Sequence, residues 1–271
     1  MQLAASRAMR VDIGSTASWE YSGQGATIVL VHGFRGDHHG LSAIAGALSE
    51  YRVLIPDLPG YGKTPPLESH DLDSYGKWLV DYVAQVGDCV VLGHSFGSLV
   101  VANAFSHGLA LDTAVLLNPI TSTADQTPGG MLAAAYYRVC RLGLIGSYLM
   151  RSALVVRGMS IAMATSWDLK LRSFIHDQHL RYFSSYANDK VVQEGFRAAN
   201  QGNVIDYQKT LPKNLLLIAG TKDKIAPIQN TRELAKKTRA SLKELPVGHL
   251  THYETPFEVG VLVTEFLEGN D

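Results

Sequence analysis

Cysteine is scarce: the 271 residues include only Cys89 and Cys140. Two thiols cannot build the disulfide framework that staples a small secreted fold. Cys89 heads an apolar run, where a buried free thiol is the common state, so no disulfide is expected and the compartment reads as reducing. A surplus of one charge is also missing, since 24 Lys and Arg face 25 Asp and Glu for a formal net charge of -1. That balance provides no electrostatic attraction to nucleic acid. No apolar run reaches the roughly 20 residues that span a bilayer. The opening stretch from Met1 to Arg10 lacks the apolar segment of a secretory signal, so a cytoplasmic location is expected. Repeats and low-complexity tracts are absent. The 46% hydrophobic and 18% charged content suits a globular chain with one large core plus an insertion, or two small domains.

Short, continuously apolar runs are abundant. Thr27–His32, Arg52–Asp57, Asp88–Gly93, Thr113–Asn118, Asn214–Ala219 and Ala240–Leu245 all read as strands. Unbroken apolarity, as opposed to alternation, suits strands covered on both faces, as in a parallel sheet. Helical spacing fills the gaps. His39–Glu50 carries Leu41, Ile44, Ala45 and Leu48, and Asp71–Val86 carries Leu72, Tyr75, Leu79, Tyr82 and Val83. Asp71 or Asp73 can cap the second helix. Strand–helix alternation predicts an α/β fold with a doubly wound, mostly parallel sheet. The Arg10–Tyr21 region reads as an added antiparallel hairpin. Alternation stops from about Thr121 to Tyr207 and resumes at Asn214, which predicts a helical cap over 121–207 inserted into a core of 1–120 and 208–271.

Gly93-His-Ser95-Phe-Gly97 matches G-x-S-x-G. At this composition the match arises by chance about once in six chains, so context must carry it. It follows an apolar strand and precedes the helix-like Ser98–Phe105, the strand–turn–helix setting that lifts a nucleophilic serine clear of the backbone. Two other glycine turns do not qualify as ligand loops. Gly62-Lys-Thr64 resembles the end of a phosphate loop, but Asp57 stands where its first glycine belongs and Pro59 removes a backbone donor. Gly23-Gln-Gly25 precedes its strand instead of following it, so it is no dinucleotide fingerprint.

A serine hydroxyl needs a base. His249 follows the last strand and is the candidate, with His252 three residues on as its rival. His94 adjoins Ser95 and reads as a packing or hydrogen-bonding residue. Asp223, just past the next-to-last strand, is the candidate acid that orients the imidazole. Asn118 ends the strand after the elbow, which removes an alternative acid. Oxyanion donors are expected from the backbone N–H groups of Phe34 and Phe96, with Gly33 allowing close approach. His32 reads as a loop brace. His38 and His39 lack ligand spacing, so no metal is expected.

These pieces in order, His32-Gly-Phe34, Asp57-Leu-Pro-Gly-Tyr-Gly62, Gly93-His-Ser-Phe-Gly97, Gly220-Thr-Lys-Asp223 and Gly248-His249, resemble the α/β-hydrolase superfamily in its form with a helical cap. The resemblance spans most of the chain outside the cap. It implies a cofactor-free serine hydrolase, esterase- or lipase-like, acting on a small-molecule ester or acyl substrate through an acyl-enzyme on Ser95. A serine in the elbow argues against the dehalogenase and epoxide-hydrolase branches, whose nucleophile is an aspartate. Carbon–carbon bond hydrolysis, perhydrolase or haloperoxidase-like chemistry and a receptor role stay open. Phe34, Leu132 and Tyr136 are the expected substrate contacts. The cap is rich in apolar residues interrupted by Arg138, Arg141, Arg151 and Arg157 with no acid among them. Ordinary amphipathic helices explain that pattern, and so does a surface that binds an acyl chain or a lipid interface.

Overall fold

Strands that bury both faces require helices on both sides, and the computed structural model, which describes residues 8–123 and 128–269, has that arrangement. Residues 1–7, 124–127 and 270–271 of the expected core and cap lie outside the described ones. The strands are β1 (Met9–Ile13), β2 (Thr16–Tyr21), β3 (Gly25–Val31), β4 (Tyr51–Pro56), β5 (Val90–His94), β6 (Thr113–Leu117), β7 (Asn214–Gly220) and β8 (Ser241–Leu245). They form one open sheet in the order β1-β2-β4-β3-β5-β6-β7-β8. β1 and β2 pair antiparallel, β2 joins β4 antiparallel, and every other pairing is parallel. All six apolar runs are strands, and the N-terminal hairpin is present.

Side-chain alternation divides the core in two. In β3, Val29 and Val31 face one cluster and Ile28 and Leu30 the other, all fully buried. The α1 helix (Ser42–Ala47) is shorter than the expected span, because a 3-10 turn (His38–Leu41) capped by Asp37 precedes it. Gly40 in that turn and Gly46 inside the helix are both poor helix formers. The α2 helix (Leu72–Val86) is N-capped by Asp71, whose carboxylate accepts from the Ser74 N–H at 2.8 Å. The α3 helix (Phe96–Ser106) follows β5 directly and is buried along nearly its whole length.

Between β6 and β7 lie α4 (Pro128–Val139), α5 (Gly143–Arg151), α6 (Ala153–Met163), α7 (Leu169–Tyr182) and α8 (Asp189–Gln201). The chain closes with α9 (Ile228–Thr238), α10 (Thr251–Glu254) and α11 (Pro256–Leu267). Among the described residues no helix is long and apolar enough to cross a membrane. Both cysteines are free and buried.

The strand order sets the site. Chain connections leave β3 toward β4 on one side, whereas β5 lies on the other, so a crevice opens where their carboxyl ends diverge. The loops after β3, β5, β6, β7 and β8 gather there. They carry Gly33, Ser95, Asn118, Asp223 and His249.

Candidate active site

Ser95 sits at φ 54°, ψ -120° between β5 and α3, a left-handed conformation that non-glycine residues avoid. Tight packing on both sides holds it there. A Cβ at Gly93 would come within 2.5 Å of the Gly97 carbonyl oxygen, and one at Gly97 within 2.2 Å of the Val31 oxygen. Only glycine at both positions lets β5 turn into α3 this sharply. The Ser95 N–H donates to the Leu117 oxygen at 3.0 Å. Its carbonyl accepts from the Ser98 N–H at 2.8 Å and the Ser98 hydroxyl at 2.6 Å.

The loop after β8 brings His249 to the serine. Its Nε2 lies 2.7 Å from Ser95 Oγ, and its Nδ1 lies 2.7 Å from Asp223 Oδ2. Tautomers are set by chemistry here, because an ionised carboxylate only accepts, which puts the proton on Nδ1 and leaves Nε2 to accept from the serine hydroxyl. Asp223 is 7% exposed and fully hydrogen-bonded. Its Oδ1 accepts from the Ile225 and Ala226 N–H groups at 2.8 and 3.0 Å, and Oδ2 accepts from Asn118 Nδ2 at 2.7 Å. Burial by itself raises the carboxyl pKa, but the His249 ring, the Ala226 N–H and the Asn118 amide outweigh it and hold Asp223 below its usual range.

Asn118 is more than a strand end. At φ 46° it donates from Nδ2 to Asp223 and, at 3.1 Å, to the Gly248 carbonyl, while its Oδ1 accepts from Thr251 Oγ1 at 2.6 Å. One amide thereby ties Asp223 to the loop that carries His249. A second tie comes from Glu254, which accepts from the Thr165 and Ser166 N–H groups at 2.6 and 2.8 Å, while Thr165 Oγ1 accepts from the Gly248 N–H at 3.0 Å.

The rival His252 lies elsewhere. It is buried, its ring 4.1 Å from that of His94 and 4.2 Å from that of Tyr253. His94 points away from the serine hydroxyl, with Nε2 3.3 Å from the His249 carbonyl oxygen. Burial, reinforced by the neighbouring His249, lowers its pKa to about 3. Burial likewise lowers that of His179 to about 4. Such groups fold neutral, whereas the unfolded chain takes up protons below about pH 6.5, so each costs about 1.4 kcal/mol of stability per pH unit below that. We expect the melting temperature to fall as pH drops from 7 toward 4, and to fall less steeply in His94→Gln. Parallel slopes for the two proteins in thermal melts would refute that assignment.

Gly33 brings the loop after β3 against the elbow, where a Cβ would stand 3.3 Å from Ser95 Cβ. His32 braces this loop, Nδ1 lying 2.9 Å from the Gly33 oxygen and Nε2 accepting from the Leu58 N–H at 2.9 Å. The Phe34 ring meets Tyr61, Phe96 and Tyr137 edge-on at centroid distances of 5.9–6.3 Å. Tyr136 is half-buried and donates its hydroxyl proton to the Leu149 oxygen at 3.0 Å. Leu132 is 73% exposed, because α4 turns Ala133, Tyr136 and Tyr137 inward and Leu132 away.

Arg35 has a role that no local feature of the sequence announces. Fully buried at φ 60°, it donates to the Phe183 oxygen at 3.1 Å, the Tyr137 hydroxyl at 3.2 Å and the Met150 oxygen at 2.6 Å. Its guanidinium carbon stands 4.7 Å from the Phe183 ring centroid. A cation next to Phe34 thus fastens three β6–β7 helices to the loop beside Ser95.

Asp37, His38 and His39 place possible ligand atoms within 4.8 Å of one another. Their donors already have partners: His39 Nδ1 lies 3.0 Å from Asp37 Oδ1, and His38 Nδ1 lies 2.9 Å from Asp57 Oδ1. Ring stacking at 3.3 Å on Trp19 and 3.7 Å on Tyr182 completes a brace between the sheet and α7. The Gly60–Gly62 turn is equally self-contained. Asp57 Oδ2 accepts from the Lys63 N–H at 2.8 Å and fills the space where a Cβ of Gly62 would go, so no phosphate cradle remains.

Comparison with known proteins supports the same fold. Over 257 residues the chain is 25% identical to the magnesium-chelatase 30 kDa subunit of Rhodobacter capsulatus, covering 90% of this chain and 88% of that one. A shorter match, 34% identical over 120 residues, reaches the pimeloyl-[acyl-carrier protein] methyl ester esterase of Aeromonas hydrophila and covers 42% of this chain and 46% of that enzyme. A thermophilic esterase from Thermogutta terrifontis superposes with a TM-score of 0.76 at 19% identity over 97% of this chain and 98% of its own. The family profile described as "Alpha/beta hydrolase family" matches residues 28–260, which takes in the elbow, Asp223 and His249. The chain belongs to the α/β-hydrolase family.

Proposed function

We propose that the protein is a serine hydrolase that cleaves a carboxylic ester through an acyl-enzyme on Ser95. The observation that carries this reading is the unbroken Ser95–His249–Asp223 relay, two contacts of 2.7 Å each, built on a strained elbow. His249 Nε2 takes the hydroxyl proton as Ser95 Oγ attacks the ester carbonyl, and the resulting imidazolium is stabilised by Asp223. The tetrahedral oxyanion is held by the Phe34 and Phe96 N–H groups, the second at the N-terminus of α3, where the helix dipole favours negative charge. Among the described residues neither N–H donates to a protein acceptor. Collapse of the intermediate expels the alcohol, protonated by His249. Water activated by the same histidine then releases the acid.

The β6–β7 helices act as a cap in this scheme, with Phe34 and Tyr136 on the substrate side. The outward placement of Leu132 removes it from that wall. The partial likeness to a methyl ester esterase favours ester substrates, and two free buried cysteines fit a reducing, cytoplasmic setting.

A set of p-nitrophenyl esters of graded acyl length, with parallel labelling by a fluorophosphonate, tests the reading. Nitrophenol release with one covalent adduct on the Ser95 peptide, found by mass spectrometry, is the expected result. Folded protein that neither turns over any ester nor takes up the label would overturn it and favour the receptor role.

A further inference from the structure

Amphipathic helices packed on a sheet hide their apolar stripe, yet the β6–β7 helices keep much of theirs outside. Leu144 is 90% exposed, Leu154 86% and Trp167 92%, and Ile145, Tyr148 and Leu169 are exposed beside them. Eleven of the sixteen exposed large hydrophobic side chains among the described residues fall between Met131 and Leu169. Monomeric soluble surfaces rarely gather apolar side chains this way without a partner.

The helices that carry them are neighbours. The Tyr136 hydroxyl of α4 bonds the Leu149 oxygen of α5, and Ser160 of α6 bonds both His176 and His179 of α7 at 2.6 and 2.7 Å. Each contributes an outward row: Leu144, Ile145 and Tyr148 on α5, and Leu154, Arg157 and Ile161 on α6, at helical spacing.

Charge selects the occupant. Residues 128–172 hold six basic side chains and one acid, Asp168, whose carboxylate is engaged in capping α7. That leaves 18 basic and 24 acidic residues for the rest of the chain, so a nearly neutral protein is polarised, positive at these helices and negative elsewhere. Arg151 is drawn toward Asp189 at 3.8 Å. Arg138, Arg141 and Arg157 are exposed and have no ion-pair partner among the described residues. A second copy of the same face would bring like charges together. An anionic bilayer matches both properties, since leucines enter the acyl boundary, Trp167 and Tyr148 settle at headgroup depth, and arginines reach phosphates.

We propose that the outer face of α5, α6 and the α6–α7 turn docks this protein on anionic lipid membranes. The docking is independent of the ester-hydrolase reading and is measured without substrate.

Sedimentation of the full chain with phosphatidylcholine vesicles, with and without about 30% phosphatidylglycerol, tests it. Binding to the anionic vesicles should exceed binding to neutral ones by about tenfold and weaken with salt. Leu144→Asp with Leu154→Asp should cut it by about tenfold, with circular dichroism showing the fold retained. Tryptophan emission should shift to the blue on anionic vesicles, a shift lost in Trp167→Phe. Failure to pellet with either vesicle overturns the proposal, as does pelleting that the double substitution leaves unchanged. A concentration-dependent dimer, abolished by that substitution and without vesicle binding, would instead assign the face to a second copy.

Discussion

Ser95→Ala will lower kcat for the preferred ester by about 10⁵- to 10⁶-fold while leaving KM within a few-fold and the melting temperature nearly unchanged. The reason for the large effect is that the relay works as a unit. Without Oγ, His249 Nε2 has no proton to take, and the interlocked Asp223 and Asn118 contacts have nothing to act on. Stability survives because the hydroxyl makes one described hydrogen bond, to His249, whereas the elbow is held by backbone bonds to Leu117 and Ser98. Alanine at φ 54° carries the same strain as serine. The residual rate should still exceed that in water, since oxyanion donors and binding alone retain roughly 10³- to 10⁴-fold catalysis. Stopped assays at high enzyme concentration, freed of trace wild type, read this directly. A loss below about a hundredfold would refute the acyl-enzyme on Ser95.

The sheet and the Ser95–Asp223–His249 order are legible because each is local. A continuous apolar run such as Ile28–Val31 declares a strand buried on both faces, and glycines two residues either side of Ser95 declare a sharp turn. What is illegible depends on contacts distant in the chain. Asn118 bonds groups 105 and 130 residues away, and nothing at the end of β6 announces that β7 and β8 will carry those groups past it. Arg35 is a similar case. Its partners lie 102 to 149 residues on, and an arginine in a loop reads as solvated until helices close over it. Leu132 is a different case: α4 is apolar on several sides, so periodicity alone could not say that Leu132 is exposed while Ala133, Tyr136 and Tyr137 are turned inward. His249 and His252 are separated only by geometry, since both follow the last strand and only one reaches the serine.

Asp223→Asn should lower kcat by about 10⁴-fold with little change in KM. The substitution keeps size and shape, so its effect isolates proton placement. In the native site Oδ1 accepts two backbone N–H groups, from Ile225 and Ala226, while Oδ2 faces His249 Nδ1 and Asn118 Nδ2. An asparagine must satisfy the two backbone donors with its oxygen, because its NH₂ group cannot accept from them. The NH₂ is then forced toward His249, where it donates to Nδ1 and moves the ring proton to Nε2. That tautomer cannot take the Ser95 proton. The same NH₂ also meets the Asn118 Nδ2 donor head-on, so reversing the amide relieves one conflict and creates another with Ile225 and Ala226. The reversed amide would keep the Nδ1 proton but sets its NH₂ against two backbone donors and supplies no negative charge for the imidazolium, so neither orientation replaces the carboxylate. Titration of the folded variant by NMR should show the His249 ring proton on Nε2 where the wild type has it on Nδ1. A loss of less than about tenfold, with the Nδ1 proton retained, would refute the requirement for a carboxylate at Asp223.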